Sequence, residues 1–164
     1  MAAQHQPEFR FLKAGPFFDG ELTVRLVRTT GRDAAKLWVA TYHFELLVAG
    51  EVAGGIRFRA ENDFDVETYV GNLGYNVEPR FRGNHLAERA CRLLLPLALA
   101  HGFDSLWITC NPDNHASRRT CERLGAVLVD VVELPEESDM FQDGERFKCR
   151  YRLDLGGNRN PRRA

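Results

Sequence analysis

The sequence predicts an α+β domain with a single mixed, mostly antiparallel sheet that is flanked by helices. Several short segments alternate apolar and polar residues, which is typical of strands with one buried face. Only two segments have helical periodicity, and both stand in the second half of the chain. The predicted order is a strand, a short connection, three strands, a long helix, a strand, a second helix and two strands. This order favours helices packed on an antiparallel sheet over a doubly wound fold.

The composition fits one ordinary folded domain. The 164 residues are 44% hydrophobic and 27% charged, and the formal net charge is -1. A domain of about this size buries roughly 68–70% of the surface of its unfolded chain, so neither a metal nor a disulfide is required for its core. Affinity for duplex DNA comes mainly from clustered Lys and Arg, and the near-neutral charge therefore disfavours a nucleic-acid partner.

The cysteines and the chain ends favour a cytoplasmic protein. The four cysteines form no C-x-x-C pair, so we expect reduced thiols and no metal site. Neither a signal peptide nor an uninterrupted apolar run of transmembrane length is present, and no membrane partner is expected. We interpret residues 1–20 as an N-terminal extension, residues 21–155 as the folded domain and residues 156–164 as a flexible tail.

Strands dominate the first part of the domain. Residues 21–29 alternate as a half-buried strand, and residues 33–40 permit a helix of about two turns. Two β-rich runs at residues 42–48 and 52–59 predict a hairpin in which Gly50 supplies a positive-φ turn position.

The next strand and helix are unusual. The strand predicted at residues 68–77 contains Gly71 and Gly74, and glycines inside a strand often mark a bulge or a close approach of another backbone. Residues 83–101 have one apolar face and predict a long helix, in which Pro96 removes a backbone hydrogen bond.

The last elements have clear boundaries. Residues 106–110 form a short apolar strand, and the turn that follows provides Asn114 as a helix N-cap. Gly125 is typical of a helix C-cap. Two final strands are predicted at residues 126–134 and 147–155.

The turn between the central strand and the long helix is the most informative stretch. It runs from Tyr75 to Ala87 and contains Arg80, Arg82 and Gly83. The first N–H groups of a helix have no intrahelical partner and favour an anion, so this turn is predicted to bind a pyrophosphate. The stretch lacks the Lys-Ser/Thr pair of a Walker A loop and the three glycines of a G-x-G-x-x-G loop.

This turn resembles the pyrophosphate loop of the GNAT superfamily of acetyl-CoA-dependent N-acetyltransferases, which is written R/Q-x-x-G-x-G/A. Framed from Arg80, the glycine is Gly83; framed from Arg82, the last position is Ala87. In both frames His85 departs from the pattern.

A second block strengthens the resemblance. It resembles the family pattern N-x-x-[AS]-x-x-x-[YC]-x-[KR]-x-G-[FA] at Asn114, Ser117, Cys121, Arg123, Gly125 and Ala126. The resemblance covers about residues 22–155. It implies a GNAT-like acyl-CoA N-acyltransferase fold with a shortened first helical region, and acetyl-CoA as cosubstrate.

The resemblance also implies binding positions. The main chain at Asn76 and Val77 would pair with the pantetheine arm, and Asn111 and Asn114 would contact that arm from the second turn. Ser117 and Arg118 would lie nearer the nucleotide. The pyrophosphate would be held by backbone amides at the helix start, those of Arg82, Gly83, Asn84, His85, Leu86 and Ala87.

Two catalytic positions depart from the family. Cys121 stands where a tyrosine often protonates the departing thiolate; a thiol can donate this proton, and a buried structural cysteine is the alternative. Asn72 stands where a carboxylate often acts as base, and it could hold a water that relays the proton. His43, Glu45 and Glu67 are further candidate bases that no motif places.

These observations predict an N-acetyltransferase that moves an acetyl group from acetyl-CoA to a primary amine by direct attack in a ternary complex. A non-catalytic acyl-CoA sensor or partner-binding module is the alternative, because both catalytic positions depart from the family. An RNA-binding sheet is disfavoured because the required aromatic pair is absent. The acceptor amine is a small molecule, a protein or a peptide, and the chain is expected to be a monomer or a homodimer.

Overall fold

A computed structural model describes residues 7–36 and 38–156. Residues 1–6 of the predicted extension and residues 157–164 of the predicted tail lie outside the described residues. The strands are β1 (Phe17–Asp19), β2 (Leu22–Thr30), β3 (Thr41–Val48), β4 (Glu51–Arg59), β5 (Leu73–Val77), β6 (Ser105–Cys110), β7 (Val127–Glu133) and β8 (Phe147–Asp154). The helices are α1 (Leu86–Ala100), α2 (His115–Leu124) and α3 (Asp139–Gln142), and the chain also has a π-helical turn at Val66–Val70 and a 3-10 turn at Pro79–Phe81. The predicted α+β class is confirmed.

The strands form two sheets, where the sequence analysis expected one mixed sheet. The first has the order β1-β2-β3-β4-β5 and the second β6-β8-β7, and every strand pair in the described chain is antiparallel. The sheets meet where the N–H of Asn72 donates to the carbonyl of Trp107 at 2.7 Å. Beyond this point no ladder joins β5 to β6, and the ends of these strands border a common cavity. The prediction of a single sheet was therefore wrong, because β5 and β6 diverge.

The short helix expected at residues 33–40 is a turn in the described part of this segment. The Asp33 carboxylate accepts hydrogen bonds from the N–H groups of Ala35 and Lys36, at 3.1 and 3.2 Å. The backbone of Asp33 pairs with that of Trp38 in both directions. The side-chain contacts resemble an N-cap, but the backbone pairing of Asp33 with Trp38 closes the segment into a tight turn before a helix can extend.

The strand expected at residues 68–77 is also shorter than predicted. The Asp63 carboxylate accepts from the N–H of Val66 at 2.7 Å, and this starts the helical turn that occupies the first part of the segment. Gly71 follows with φ of 72°, and a Cβ there would lie 2.9 Å from the Trp107 carbonyl oxygen. Gly71 thus allows the two sheets to touch.

The core lies between the first sheet and α1. Side chains from β3 and β4 meet the apolar face of the helix, and Pro96 is accommodated within it. Residues 9–17 of the predicted extension pack on this core: Leu12 donates its N–H to the Tyr42 hydroxyl at 2.7 Å, and Ala14 is buried. Of the helices in the described ranges, none has the length and apolarity needed to cross a membrane.

Candidate active site

The start of α1 presents a row of unpaired backbone amides. The chain leaves β5 through the 3-10 turn, and Gly83 and His85 both have positive φ, 92° and 54°. The first helical hydrogen bond runs from the N–H of Arg89 to the carbonyl of His85 at 3.0 Å. Within the described chain, no group accepts a hydrogen bond from the amides of residues 83–88. These N–H groups and the helix dipole favour an anion.

A cavity of about 560 Å³ lies over these amides. It is bordered by β5 and the start of α1 on one side and by α2 on the other. We call it the nucleotide cavity. It brings together nine of the predicted binding residues, namely Asn76, Val77, Arg82, Gly83, His85, Leu86, Ala87, Asn114 and Ser117.

Three predicted binding residues lie outside this cavity. Asn84 donates its side-chain amide to the carbonyl of Phe81 at 3.3 Å and so closes the turn. Asn111 accepts a hydrogen bond from Lys148 at 2.8 Å and lines a different cavity. The Arg118 guanidinium donates to the Tyr151 hydroxyl and to the Pro112 carbonyl, at 3.2 and 3.1 Å, and therefore packs against β8.

The arginines of α2 that border the nucleotide cavity are Arg119 and Arg123. The guanidinium of Arg123 also contacts the imidazole of His85. Sequence reasoning selected Arg118 instead, although Arg119 and Arg123 are four residues apart and therefore share a helix face. That spacing, together with Ala116 and Thr120 on the same side, could have identified the helix face that borders the nucleotide cavity.

A second cavity of about 400 Å³ opens between the diverging ends of β5 and β6. We call it the acceptor cavity. It shares Tyr75, Asn76, Asn114 and Ser117 with the nucleotide cavity. The two cavities therefore meet at the end of β5, and molecules that occupy them can approach each other there.

A third cavity of about 550 Å³ continues from the acceptor cavity. We call it the aromatic cavity, because Trp38 and Tyr69 border it. It shares Arg59, Tyr69, Val70 and Met140 with the acceptor cavity. Elsewhere its lining carries Asp65 and the acidic segment around α3.

Tyr75 stands at the junction of the nucleotide and acceptor cavities. Its hydroxyl lies 2.9 Å from Ser117 Oγ and 3.9 Å from Cys121 Sγ. Burial raises the pKa of Tyr75 far above its ordinary value, so the hydroxyl keeps its proton. The sequence analysis missed this residue because it compared only position 121 with the family tyrosine.

Cys121 lies behind Tyr75 and lines none of the three cavities. Its side chain has no exposed surface. A hydrogen bond with Cys110 and burial raise the pKa of the Cys121 thiol, and the same hydrogen bond lowers the pKa of Cys110. This position favours the structural alternative for Cys121 over proton donation to a ligand.

Replacing Cys121 with alanine should therefore lower stability more than activity. Loss of the buried sulfur leaves a small void, and we expect the free energy of unfolding to fall by about 1 kcal/mol. Chemical denaturation measures this change. The rate of acetyl transfer at saturating substrates should stay at the wild-type level, and a large loss of rate with an unchanged unfolding midpoint would restore Cys121 as a proton donor.

Asn72 has a structural position in place of the expected catalytic one. It is fully buried, and its oxygen accepts from the N–H of Trp107 at 2.8 Å. Its side-chain NH₂ donates to the carbonyl of Arg59 and to Asn62, at 3.1 and 2.8 Å. Protein groups thus occupy both donors, and the side chain bridges the two sheets. This placement leaves no exposed amide to hold a relay water.

The other predicted bases lie outside the three cavities. Glu45 is paired with Arg25 on the outer face of the first sheet, and Glu67 borders none of the cavities. His43 stands opposite Arg57, which lines the acceptor cavity, in the β3–β4 register, and its Nε2 lies 2.9 Å from Thr30 Oγ1. Burial and nearby arginines lower the pKa of His43, so its imidazole is neutral and basic at neutral pH.

The comparisons with known proteins agree with this architecture. The family described as acetyltransferase (GNAT) domain matches residues 5–127, and no curated protein sequence matches the chain. The microcin C7 self-immunity acetyltransferase MccE, solved with acetyl-CoA and AMP, is 20% identical with a TM-score of 0.56. That alignment covers 70% of this chain and 61% of the MccE chain. The chain thus spans less than two thirds of that relative.

Two further structures cover more of the chain. RimL, the ribosomal L7/L12 alpha-N-protein acetyltransferase, in complex with coenzyme A, is 12% identical with a TM-score of 0.63 over 85% of this chain and 97% of its own. A structure described as a "putative acetyltransferase" is 18% identical with a TM-score of 0.64, over 88% of this chain and 89% of its own. These identities indicate a shared fold. The family match covers well over half of the sequence, and the chain belongs to the GNAT acetyltransferase family.

Proposed function

We propose that the protein is an N-acetyltransferase that moves the acetyl group of acetyl-CoA to a primary amine by direct attack in a ternary complex. The observation that carries this proposal is the junction of two cavities at the end of β5, one of them over unpaired helix-start amides. Acetyl-CoA is the cosubstrate. Such an arrangement holds two reactants together, and positioning of this kind can supply about 7–11 kcal/mol of the barrier reduction.

The charges of the nucleotide cavity suit a pyrophosphate. Arg82, Arg119 and Arg123 line it, and no carboxylate does so within the described chain. The amides of residues 83–88 add hydrogen-bond donors at fixed positions. The pantetheine arm would then follow the free edge of β5 past Val77 and Asn76 towards the acceptor cavity, where β5 has no strand partner on that side.

The chemistry requires a donor for the developing oxyanion and a proton for the departing thiolate. The backbone N–H of Val77 can serve the oxyanion. Tyr75 is our choice for the proton, since it is half-buried, its hydroxyl lies 2.9 Å from Ser117 Oγ, and it stands at the cavity junction. His43 is our choice for the base, reached through water, because its neighbour Arg57 lines the acceptor cavity and its imidazole is neutral.

Binding and turnover test the proposal separately. Titration of acetyl-CoA by calorimetry should show saturable binding, and a ligand present at 100 times its Kd should add about 2.7 kcal/mol to the free energy of unfolding. Thiol release should then rise with a panel of amines. No heat and no thermal shift would contradict the proposal, whereas binding without thiol release for any amine would identify a sensor.

The setting of the enzyme is part of the same proposal. A cytoplasmic location is consistent with the four free cysteines, all of which are buried. The acceptor is a small molecule, a protein or a peptide, and the chain acts as a monomer or a homodimer.

A further inference from the structure

The acceptor cavity contains a half-buried arginine without a carboxylate partner. Arg59 lies over β5, with Nη1 3.6 Å from the position that a Cβ on Gly74 would take. Nη1 donates to the carbonyls of Gly71 and Val70, at 3.1 and 3.4 Å. The other nitrogens of the guanidinium have no hydrogen-bond partner, and no ion pair forms with Arg59 among residues 7–36 and 38–156. A charge taken out of water without a partner is costly, and an anionic ligand would offset that cost.

The neighbouring carboxylate does not neutralise Arg59. Asp63 is close enough to raise the pKa of Arg59 slightly, but its Oδ1 is bound to the N–H of Val66. Burial and the charge of Arg57 lower the pKa of Arg59 to about 10. The guanidinium thus stays protonated at neutral pH and has donors available to a ligand.

Arg57 adds a second unpaired cation on the same face. It is exposed and lines the acceptor cavity, and its guanidinium makes neither a hydrogen bond nor an ion pair with the described residues. Arg57 stands opposite Gly74 in the β4–β5 register, and Gly55 stands opposite Asn76. Residues 55, 57 and 59 share one face of β4. Along that face, Arg57 lies about 7 Å beyond the Gly55–Asn76 pair, and Arg59 lies about 7 Å beyond Arg57.

The remaining charges of the cavity largely cancel. Lys148 and Glu145 both line it and form an ion pair with each other. Arg57 and Arg59 are left as the uncompensated charges. An amine at the cavity junction near Asn76 lies within a few bonds' reach of these two arginines. Beyond Arg59, the aromatic cavity offers Trp38, Tyr69 and Met140 to an apolar body, and its acidic residues Asp65, Glu137 and Asp139 line the same space without an ion pair to Arg59 in the described chain.

We propose that the acceptor is an amine that also carries a carboxylate, such as an amino acid, with the carboxylate bound by Arg59 and Arg57. This inference rests on the acetyl transfer proposed above. A guanidinium suits the task, because its planar fork binds a carboxylate through two parallel hydrogen bonds. The carboxylate would lie over β4 and β5, the amine would point to Asn76, and the side chain would extend into the aromatic cavity.

Matched acceptor pairs test this inference. Each L-amino acid is assayed by thiol release beside its own carboxamide, which has no negative charge. The amine of the carboxamide is less basic, so more of it is unprotonated at neutral pH and intrinsic reactivity favours the amide. We nevertheless expect kcat/KM to be at least about tenfold higher for the best acid, which is the size of one charged hydrogen bond.

Arg57→Gln removes one of the two charges at an exposed position. The KM of the preferred acid should rise about tenfold, while the KM values of its carboxamide and of acetyl-CoA stay unchanged. Arg152→Gln is the matched control, since Arg152 is an exposed arginine on β8 that lines none of the three cavities. An equal rise in the KM values of acid and carboxamide in Arg57→Gln would overturn the inference. A preference of the wild type for cationic amines that lack a carboxylate would also overturn it.

A binding measurement covers the case without turnover. With coenzyme A present, N-acetyl amino acids should raise the melting temperature of the wild type more than their N-acetyl carboxamides do, and Arg57→Gln should reduce this difference. Equal shifts in the wild type would overturn the carboxylate site. Failure of acetyl-CoA to bind in the absence of any acceptor would instead contradict the proposed function, so the two failures are distinguishable.

Discussion

Replacing Tyr75 with phenylalanine is expected to lower kcat by about 100-fold, the lower end of the usual effect of a general acid or base. The substitution removes only the hydroxyl that lies 2.9 Å from Ser117 Oγ. The ring still fills the wall between the nucleotide and acceptor cavities. Since the pyrophosphate and its amides are untouched, the KM of acetyl-CoA should change little. Steady-state thiol release with varied acetyl-CoA and varied amine measures both quantities.

Cys121→Ala is the matched control for Tyr75→Phe. Both remove one polar atom from the same contact, because Cys121 Sγ lies 3.9 Å from the Tyr75 hydroxyl. Only Tyr75 borders the cavities. A loss of kcat in Tyr75→Phe with normal kcat in Cys121→Ala supports a tyrosine donor on β5. Wild-type kcat in Tyr75→Phe would exclude it.

Local rules predicted most of the fold. The turn at Ala49 and Gly50 has positive φ at both residues, the Asn114 side chain accepts from the N–H of Ser117, and Gly125 ends α2 in the left-handed region. Each of these features is decided by residues that are close in sequence. The shortened first helical region is a turn in the structure, because the backbone of Asp33 pairs with that of Trp38 and closes the segment.

Long-range contacts account for what the sequence did not predict. Asn72 directly precedes β5, but its role depends on Trp107, which is 35 residues away. Arg118 and Arg119 are adjacent on α2, but Arg118 donates a hydrogen bond to the Tyr151 hydroxyl on β8 and therefore lies outside the nucleotide cavity. The close backbone approach that Gly71 suggested is confirmed, but the sequence did not specify that its partner is Trp107 or that β5 and β6 diverge beyond it.

Ala87→Asp should raise the KM of acetyl-CoA by about 100-fold, which corresponds to ~2.7 kcal/mol. Ala87 lies in the first turn of α1 and lines the nucleotide cavity. A carboxylate there would stand beside the unpaired amides and repel a pyrophosphate; two unit charges 4 Å apart interact by about 4 kcal/mol near a protein surface. Acidic residues stabilise the start of a helix by about 0.3–1 kcal/mol, so the fold should be retained.

Ala87→Asn separates charge from size in this prediction. Asparagine has nearly the shape of aspartate, and we expect it to raise the KM of acetyl-CoA far less. Because salt screens charge repulsion, the KM of the aspartate variant should also fall as ionic strength rises, while that of the asparagine variant stays level. Equal KM values for the two variants would mean that the size of the new side chain, and not its charge, weakens the binding of acetyl-CoA. An unchanged KM in Ala87→Asp would mean that the pyrophosphate binds away from the start of α1, and the site would then have to be sought elsewhere along the chain.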